Sequence, residues 1–280
     1  MNFFSLILHP SFHFLRNAIF AALFSSILFG ILGPILTVKR MIGLAGAISH
    51  AVLGGIGLAL FFSTKKIIPG FSPLLGAFIF SILSAFIIGF VYLKAGQKSE
   101  TSINAIWAVG MSIGVVFIAK TPGFIDPFSY LFGNILFVSD NIILLLMILD
   151  ILVIFLLWRF YPQILSVSFD EEFSKVRNIP VETIFIVLLS VTALAIVLLQ
   201  ISVGIIMLIA MFALPSGIFI QSSKNLAQVI FLSSIFSFIV SITGLWSGWV
   251  LDLPAGAVTV LIAGVVFLFV SVIRVILKKV

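Results

Sequence analysis

The sequence predicts an all-α integral membrane protein, a polytopic bundle of about nine (eight or nine) transmembrane helices. The composition is 62% hydrophobic and only 9% charged, with a mean hydropathy of +1.38, whereas about a quarter of the residues in a soluble domain are charged. The apolar residues also fall in long blocks, and Ile142–Leu157 has one charge in sixteen residues. Hydrocarbon admits only helices and closed barrels, and barrel strands alternate apolar with polar residues. These blocks do not alternate, so helices are predicted.

The blocks themselves define the predicted spans, since a helix needs roughly 20 apolar residues to cross a bilayer. Residues 1–13 are too short to cross and are expected at the membrane interface. Residues 127–138 are apolar but short, which favours a re-entrant or interfacial helix, and a model with eight spans stays open. The predicted spans are 14–37, 42–63, 72–93, 103–119, 140–158, 182–200, 203–221, 226–247 and 255–276.

The basic residues predict the orientation of these spans. If the polar stretch 159–181 is cytoplasmic, eleven of the 15 Lys and Arg residues fall on the cytoplasmic side, as the positive-inside rule requires. The pair Lys65 and Lys66 falls on the outer side, against the trend. The net charge of +6 therefore reflects topology in an inner membrane and does not indicate nucleic-acid binding. The absence of cysteine excludes disulfides and thiolate metal sites.

A histidine lies inside the second predicted span. Gly43, Ala47, His50, Gly54 and Gly57 follow one another at steps of four and three residues, so they share one helix face. Small faces allow helices to approach closely, and this face is expected to turn His50 into the bundle. Ionisable groups inside a membrane are candidate functional groups, and imidazole suits zinc and similar cations. The alternative is a histidine hydrogen-bonded across a helix interface.

Two aspartates are further candidates for an ion path. Asp150 lies near the middle of the fifth span, where a carboxylate is expected to be buried and paired, or else protonated. Asp252 precedes the last span, where the helix dipole would favour an acidic residue at the helix start. The structural alternatives are a partner for a helix terminus in the case of Asp150 and a helix-start residue in the case of Asp252.

Helix-breaking residues recur in the second half of the chain. Leu214–Gly217 and Leu253–Gly256 both contain Pro and Gly, and a proline inside a helix removes a hydrogen bond and bends the helix. Such breaks line substrate paths in many transporters, which makes Pro215, Ser216 and Pro254 candidates. A simple packing kink is the alternative.

The polar stretch contains a predicted amphipathic helix. Ser168 is a candidate cap, the first turn is acidic and the last is basic, an arrangement that suits the helix dipole. Phe169, Phe173 and Val176 form a stripe that ends before Pro180, and such a helix of two to three turns can dock into a groove on a partner protein. The alternative is a helix lying on the membrane surface. The chain has no nucleotide-binding loop, so an ATP-driven transporter would need its ATPase on another chain.

Five segments together resemble the membrane permeases of ATP-binding-cassette importers for zinc and manganese. They follow the order of that family and extend over nearly the whole chain. The segments are Lys39–Gly55, Phe128–Leu136, Ser168–Phe173, Ala213–Gly217 and Gly244–Gly256.

The resemblance implies a single transmembrane permease domain over 1–280, of the type II importer kind, with a cytoplasmic coupling loop at about 160–181. It implies a homodimer around a central path, a separate ATPase and an extracytoplasmic metal-binding protein. His50 matches the histidine implicated in the metal path, with Asp150 and Asp252 as further candidate ligands. Many members carry Asp four residues before that histidine, where this chain has Gly46, and the Gly-containing variant favours zinc over manganese. The implied ATPase contacts are Phe169, Asp170, Glu171, Glu172, Phe173 and Arg177.

The predicted function is therefore that of a non-catalytic permease subunit that carries a divalent transition metal as cargo, with zinc favoured and manganese or iron possible, and that holds no permanent cofactor. Two alternatives stay open, a permease for iron–siderophores or cobalamin and a secondary transporter in which Asp150 and His50 carry ions. A membrane enzyme is the least favoured reading, because no paired catalytic groups are visible.

Overall fold

The computed structural model describes residues 13–68, 70–95, 100–122, 133 and 135–277. These residues form α-helices and a short 3-10 turn at Ile135–Phe137, without a β-strand among them. The segment 1–12 and most of the predicted short helix at 127–138 lie outside the described residues. The helices are α1 (His13–Val38), α2 (Ile42–Thr64), α3 (Pro73–Ala95), α4 (Glu100–Lys120), α5 (Asp140–Phe169), α6 (Glu171–Val176), α7 (Val181–Val203), α8 (Ile205–Phe219), α9 (Leu226–Leu251) and α10 (Ala255–Leu277).

Eight of the described helices are long and apolar enough to cross a membrane, and the predicted all-α membrane bundle is confirmed. The predicted span 203–221 corresponds to α8, which has only 15 residues. At 1.5 Å per residue α8 is about 22 Å long, shorter than a hydrocarbon core of about 30 Å. The prediction of eight or nine spans therefore holds, with α8 as the short member.

The fifth helix continues further than predicted. The apolar block ends at 158, but α5 extends to Phe169 after a bend at Phe160, whose backbone angles (φ −118°, ψ 17°) are not helical. Pro162 has no N–H to donate to the carbonyl four residues earlier, so a bend is expected here. Part of the polar stretch predicted as a loop is thus helical.

The chain divides into two compact units, which are described separately. The first unit comprises residues 1–40, 132–159 and 201–280, and the second comprises 41–131 and 160–200. The boundary at 159–160 coincides with the bend in α5. The single permease domain expected over 1–280 stays a prediction.

In the first unit, α1 packs closely against α8 and α9. A Cβ atom at Gly33 would lie 2.7 Å from the carbonyl oxygen of Phe212, so the backbones of α1 and α8 are in contact there. The rings of Phe29 and Phe212 meet edge to face with centroids 5.5 Å apart. The hydroxyl groups of Thr37 and Ser216 form a hydrogen bond of 2.6 Å. Small residues permit this approach, as is usual between membrane helices.

Polar contacts tie together the helix ends of the first unit. The Asn17 side chain donates to the Asp140 carboxylate at 2.6 Å and to the carbonyl of Val138 at 3.2 Å, which holds the start of α5 against α1. At the C-terminal end of α8, Arg274 of α10 donates to the carbonyl of Ile218 and to the Ser222 hydroxyl. A cation near a helix C-terminus also interacts favourably with the helix dipole.

In the second unit, α2 packs between α3 and α4 through glycines. A Cβ atom at Gly54 would lie 2.7 Å from the carbonyl oxygen of Gly110 in α4, and one at Gly57 would lie 2.5 Å from that of Gly114. The α2 span has the largest buried share of the eight candidate spans among the described residues. The later part of the glycine face predicted on this helix, at Gly54 and Gly57, is therefore a packing face, whereas Gly43 is exposed.

Candidate functional site

His50 lies on α2 beside α4. Its imidazole stacks on the indole of Trp107, with ring centroids 4.6 Å apart and an interplanar angle of 17°. The ring is half-buried, and its Nδ1 atom is buried without a hydrogen-bond partner among the described residues. The alternative of a histidine hydrogen-bonded across a helix interface therefore lacks a partner for Nδ1 in this part of the chain.

The glycine contacts explain why His50 meets Trp107. Gly54 lies one helical turn after His50 and touches Gly110, which itself lies three residues after Trp107. Because the two backbones are in contact at this point, the side chains one turn earlier are brought together. The ring stacking then limits the rotation of the imidazole. Trp107 was not identified from the sequence.

Space is open beside His50 at the position of Gly46. Gly46 lies one turn earlier on α2, and its backbone is buried. A Cβ atom built there would meet no other atom within 4 Å. The position therefore has room for a side chain, although the chain places none there.

Asp150 is buried on α5. Its side chain is only 3% exposed, and neither carboxylate oxygen has a hydrogen-bond partner among the described residues. Leu146 and Val153, one turn away on either side of it, are also buried. Burial was predicted and is observed; of the two predicted states, paired or protonated, the paired one has no partner in the described part of the chain. Its role as a metal ligand stays a prediction.

Asp252 ends one helix and does not start the next. It is exposed and caps the C-terminus of α9 in the left-handed conformation (φ 55°), with its backbone N–H directed at Gly248. The interpretation of Asp252 as the starting residue of the last helix is therefore wrong, because α10 begins at Ala255 after Pro254. Asp tolerates left-handed angles better than most residues, which suits it to this turn.

The three candidate metal residues form no cluster within the described residues. Nowhere in this part of the chain do three or more His, Asp or Glu side chains come close enough to hold a metal ion. His50 is thus the central candidate, and further ligands would have to come from outside this set.

The candidate breaks at Pro215 and Pro254 occupy different surroundings. Pro215 and Ser216 are buried within a continuous α8, and the Ser216 hydroxyl contacts Thr37 as well as the carbonyl of Ala213 at 2.9 Å. These contacts favour packing between α1 and α8. Pro254 is exposed, and its carbonyl accepts from Val258 at the opening of α10. A place on the substrate path stays a prediction for both.

The outward face of α4 contains polar residues at membrane depth. A groove of about 680 Å³ on this helix is lined by Asn104, Trp107 and Ser112 together with the apolar side chains of Ala108, Met111, Val115 and Val116. The α4 and α5 spans have the same buried share, yet α4 has the lowest mean hydropathy of the eight candidate spans among the described residues and α5 is among the most apolar. The α4 span is therefore less apolar than α5 at the same degree of burial.

The short helix α6 is held by its own polar residues. Asp170 is the N-cap and accepts from the backbone N–H of Phe173 at 2.8 Å. The hydroxyl of Ser174 donates to the carbonyl of Asp170 at 2.7 Å. It also lies 2.6 Å from the hydroxyl of Ser166, within hydrogen-bond distance. The predicted cap at Ser168 is wrong, because that residue is still inside α5. Because α5 continues to Phe169, α6 has only six residues, which is fewer than the predicted two to three turns.

The apolar stripe predicted around α6 is exposed. Phe169, Phe173 and Val176 present large parts of their side chains, and Val176 is 81% exposed. The guanidinium of Arg177 lies over the ring of Phe173 at 5.6 Å from its centroid. Glu171 and Glu172 lie in the first turn of the helix. An exposed apolar stripe with charged neighbours is typical of a surface that a partner covers.

Comparison with known proteins shows the family. Residues 11–274 match the family described as the ABC 3 transport family. The chain belongs to this family. A probable metal transport system membrane protein of Chlamydia trachomatis is 34% identical over 88% of this chain and 84% of its own length. The manganese import system permease protein ScaB of Streptococcus gordonii is 31% identical over 92% of this chain and 90% of its own length.

A solved structure agrees with this assignment. PsaBC from Streptococcus pneumoniae in complex with Fab matches with a TM-score of 0.80 and 33% identity, over 92% of this chain and 91% of that chain. The resemblance to metal-type ABC importer permeases is thereby confirmed. As a member of the ABC 3 transport family, the chain is a multi-pass protein of the cell membrane and the non-catalytic membrane subunit of a transporter.

Proposed function

We propose that this protein is the permease subunit of an ABC importer for divalent transition-metal ions, and that His50 lies on the metal path. The observation that carries the proposal is the half-buried imidazole with an unpartnered Nδ1, held on a glycine-packed helix within the membrane. A neutral imidazole is the commonest protein ligand for such metals. Membership of a transport family supports an ATP-driven importer over a secondary transporter.

Zinc is the favoured cargo on chemical grounds. Gly46 leaves the position one turn before His50 without an oxygen ligand, and manganese prefers carboxylate, carbonyl and water oxygens whereas imidazole suits zinc. Manganese is the second candidate, because relatives such as ScaB are named as manganese permeases. In either case the metal is transported and is not a resident cofactor.

A homodimer would complete the metal site. His50 has no cluster of metal-binding residues around it in the described part of one chain, so a second copy is a natural source of a second imidazole. The polar outward face of α4, which includes Asn104 and Ser112, adjoins His50 through Trp107. This face is the candidate dimer surface.

The energy for transport would come from a separate ATPase bound to α6. The exposed side chains of Phe169, Phe173 and Val176 form an apolar ridge, and helix-in-groove docking uses such ridges. Asp170, Glu171, Glu172 and Arg177 flank the ridge with charges that would set the register. An extracytoplasmic metal-binding protein would deliver the ion on the opposite side of the membrane.

Metal uptake in a strain lacking this gene tests the proposal. Cells that express His50→Ala are expected to lose accumulation of zinc and manganese, while the protein remains in the membrane at the wild-type level. His13→Ala is the matched control, since His13 lies at the start of α1, and it should restore uptake. Wild-type uptake by His50→Ala would show that the imidazole is only structural.

A further inference from the structure

An apolar groove with two opposite charges at its rim lies between α3 and α7 in the second unit. Its volume is about 510 Å³, within the range of small-molecule sites. The α3 side chains recur at helical spacing and so share one face, as do the two from α7. The lining residues are Phe86, Phe90, Leu93, Lys94, Glu182 and Ile186.

The groove extends over most of one bilayer leaflet. Phe86 precedes Lys94 by eight residues, which corresponds to about 12 Å along the helix at 1.5 Å per residue. One leaflet of hydrocarbon is about 15 Å thick, half of a core of about 30 Å. Lys94 and Glu182 lie at the end that the distribution of basic residues assigns to the cytoplasm. The apolar part of the groove therefore extends from that interface towards the bilayer centre.

The two charged side chains of the groove are exposed and form no ion pair with each other. The Lys94 ammonium lies over the ring of Phe90, 4.9 Å from its centroid, which places it above the apolar wall. Lys94 and Glu182 are both exposed, and in the part of the chain that the structure describes neither takes part in an ion pair. Phe86 and Phe90 are 53% and 62% exposed along the same groove. A ligand that fits must present one anionic group, one cationic group and an apolar tail.

We propose that this groove binds a phospholipid with a phosphoethanolamine headgroup from the cytoplasmic leaflet. The lipid phosphate would accept hydrogen bonds from Lys94, and its ammonium would donate to the Glu182 carboxylate. An acyl chain would lie against Phe86, Phe90 and Ile186. A phosphocholine headgroup has no N–H to donate, and Glu182 would repel a phosphoglycerol headgroup, which has a net negative charge.

Native mass spectrometry of the purified full-length protein tests this assignment. The protein is equilibrated with an equimolar mixture of phosphatidylethanolamine, phosphatidylglycerol and phosphatidylcholine, and the retained lipids are counted. Phosphatidylethanolamine should be enriched over the other two in the wild type. Lys94→Gln should lower its retention by about two- to fivefold, which is the contribution of one partly exposed ion pair. Glu182→Gln should shift retention towards phosphatidylglycerol, because the repulsion is removed.

Two further variants make the test specific. Exchanging both charges, Lys94→Glu with Glu182→Lys, should restore the enrichment of phosphatidylethanolamine. Lys224→Gln removes an exposed cation elsewhere and should change nothing. A lipid ratio equal to that of the mixture in the wild type would overturn the proposal. So would an unchanged ratio in Glu182→Gln, or a loss of self-association in Lys94→Gln without a change in bound lipid, which would indicate that protein covers the groove.

Discussion

Replacing Gly54 by alanine should weaken the contact between α2 and α4 that positions His50. The new Cβ atom would lie 2.7 Å from the carbonyl oxygen of Gly110, and ordinary contact begins at 3.4 Å. The two helices must therefore separate by about 0.7 Å, the difference between these distances. The atom that the new Cβ would meet belongs to the backbone of Gly110, so it cannot move away as the end of a flexible side chain could.

The cost of this change follows from overpacking. Extra methyl groups in a well-packed interface destabilise by about 1–3 kcal/mol, whereas replacing Gly by Ala within a helix gains up to about 1 kcal/mol. Gly46→Ala is the matched control, because open space surrounds that position and only the helix gain applies. Gly54→Ala should thus be less stable than Gly46→Ala by about 1–3 kcal/mol.

Thermal unfolding of the two purified variants in the same detergent measures this difference. Gly54→Ala should have the lower midpoint, and His50-dependent uptake should fall with it because the stacking on Trp107 is displaced. Equal midpoints for Gly54→Ala and Gly46→Ala would refute the close packing of α2 on α4.

Three further predictions follow from other parts of the structure. Arg274→Ala removes a part-buried and an exposed hydrogen bond and should lower the free energy of unfolding, measured by denaturant titration, by about 1.5–3 kcal/mol, the contribution of the part-buried bond. Phe173→Ala should reduce co-purification of the ATPase with little change in stability, because the side chain is 53% exposed. Gly46→Asp should raise manganese uptake relative to zinc, since it adds a carboxylate one turn before His50.

Each of these predictions has its own control. Arg274→Lys keeps the charge but loses the planar fork of donors, so its stability should be intermediate, and a fully stable Arg274→Ala would contradict the tie between α10 and α8. Phe155→Ala removes an equally exposed ring on the apolar face of α5, and it should leave ATPase binding intact. Gly46→Ala should keep the wild-type metal preference. A preference unchanged in Gly46→Asp would count against the metal site at α2.

The helices were predictable because each has a strong local signal. Long apolar blocks define nine of the ten described helices within a few residues, apart from the extension of α5 beyond 158. That extension was missed because polar residues after Arg159 mark where the hydrocarbon ends, and a helix can continue past that point. Asp252 was assigned to the start of α10 but lies at the end of α9, because an aspartate suits the left-handed end of a helix as well as a helix start.

The site was predictable only in part. The spacing of the glycines located the packing face and the burial of His50, because both depend on one helix. Trp107 is 57 residues from His50 in the chain, and only the packing of α2 on α4 brings the rings together. A spacing of four residues between Gly110 and Gly114 was the available signal, since small residues at that interval mark a close helix contact. Likewise, no sequence pattern shows that the Asp150 carboxylate has no hydrogen-bond partner among the residues that the structure describes.

The most direct test of the account is ATP-driven zinc transport by the permease, its ATPase and its binding protein reconstituted together in vesicles. The wild-type assembly should accumulate zinc when ATP is hydrolysed. The His50→Ala assembly should hydrolyse ATP and yet accumulate none, because the imidazole on the metal path is missing while α6 still engages the ATPase. Equal zinc accumulation by the two assemblies would contradict the placement of His50 on the path.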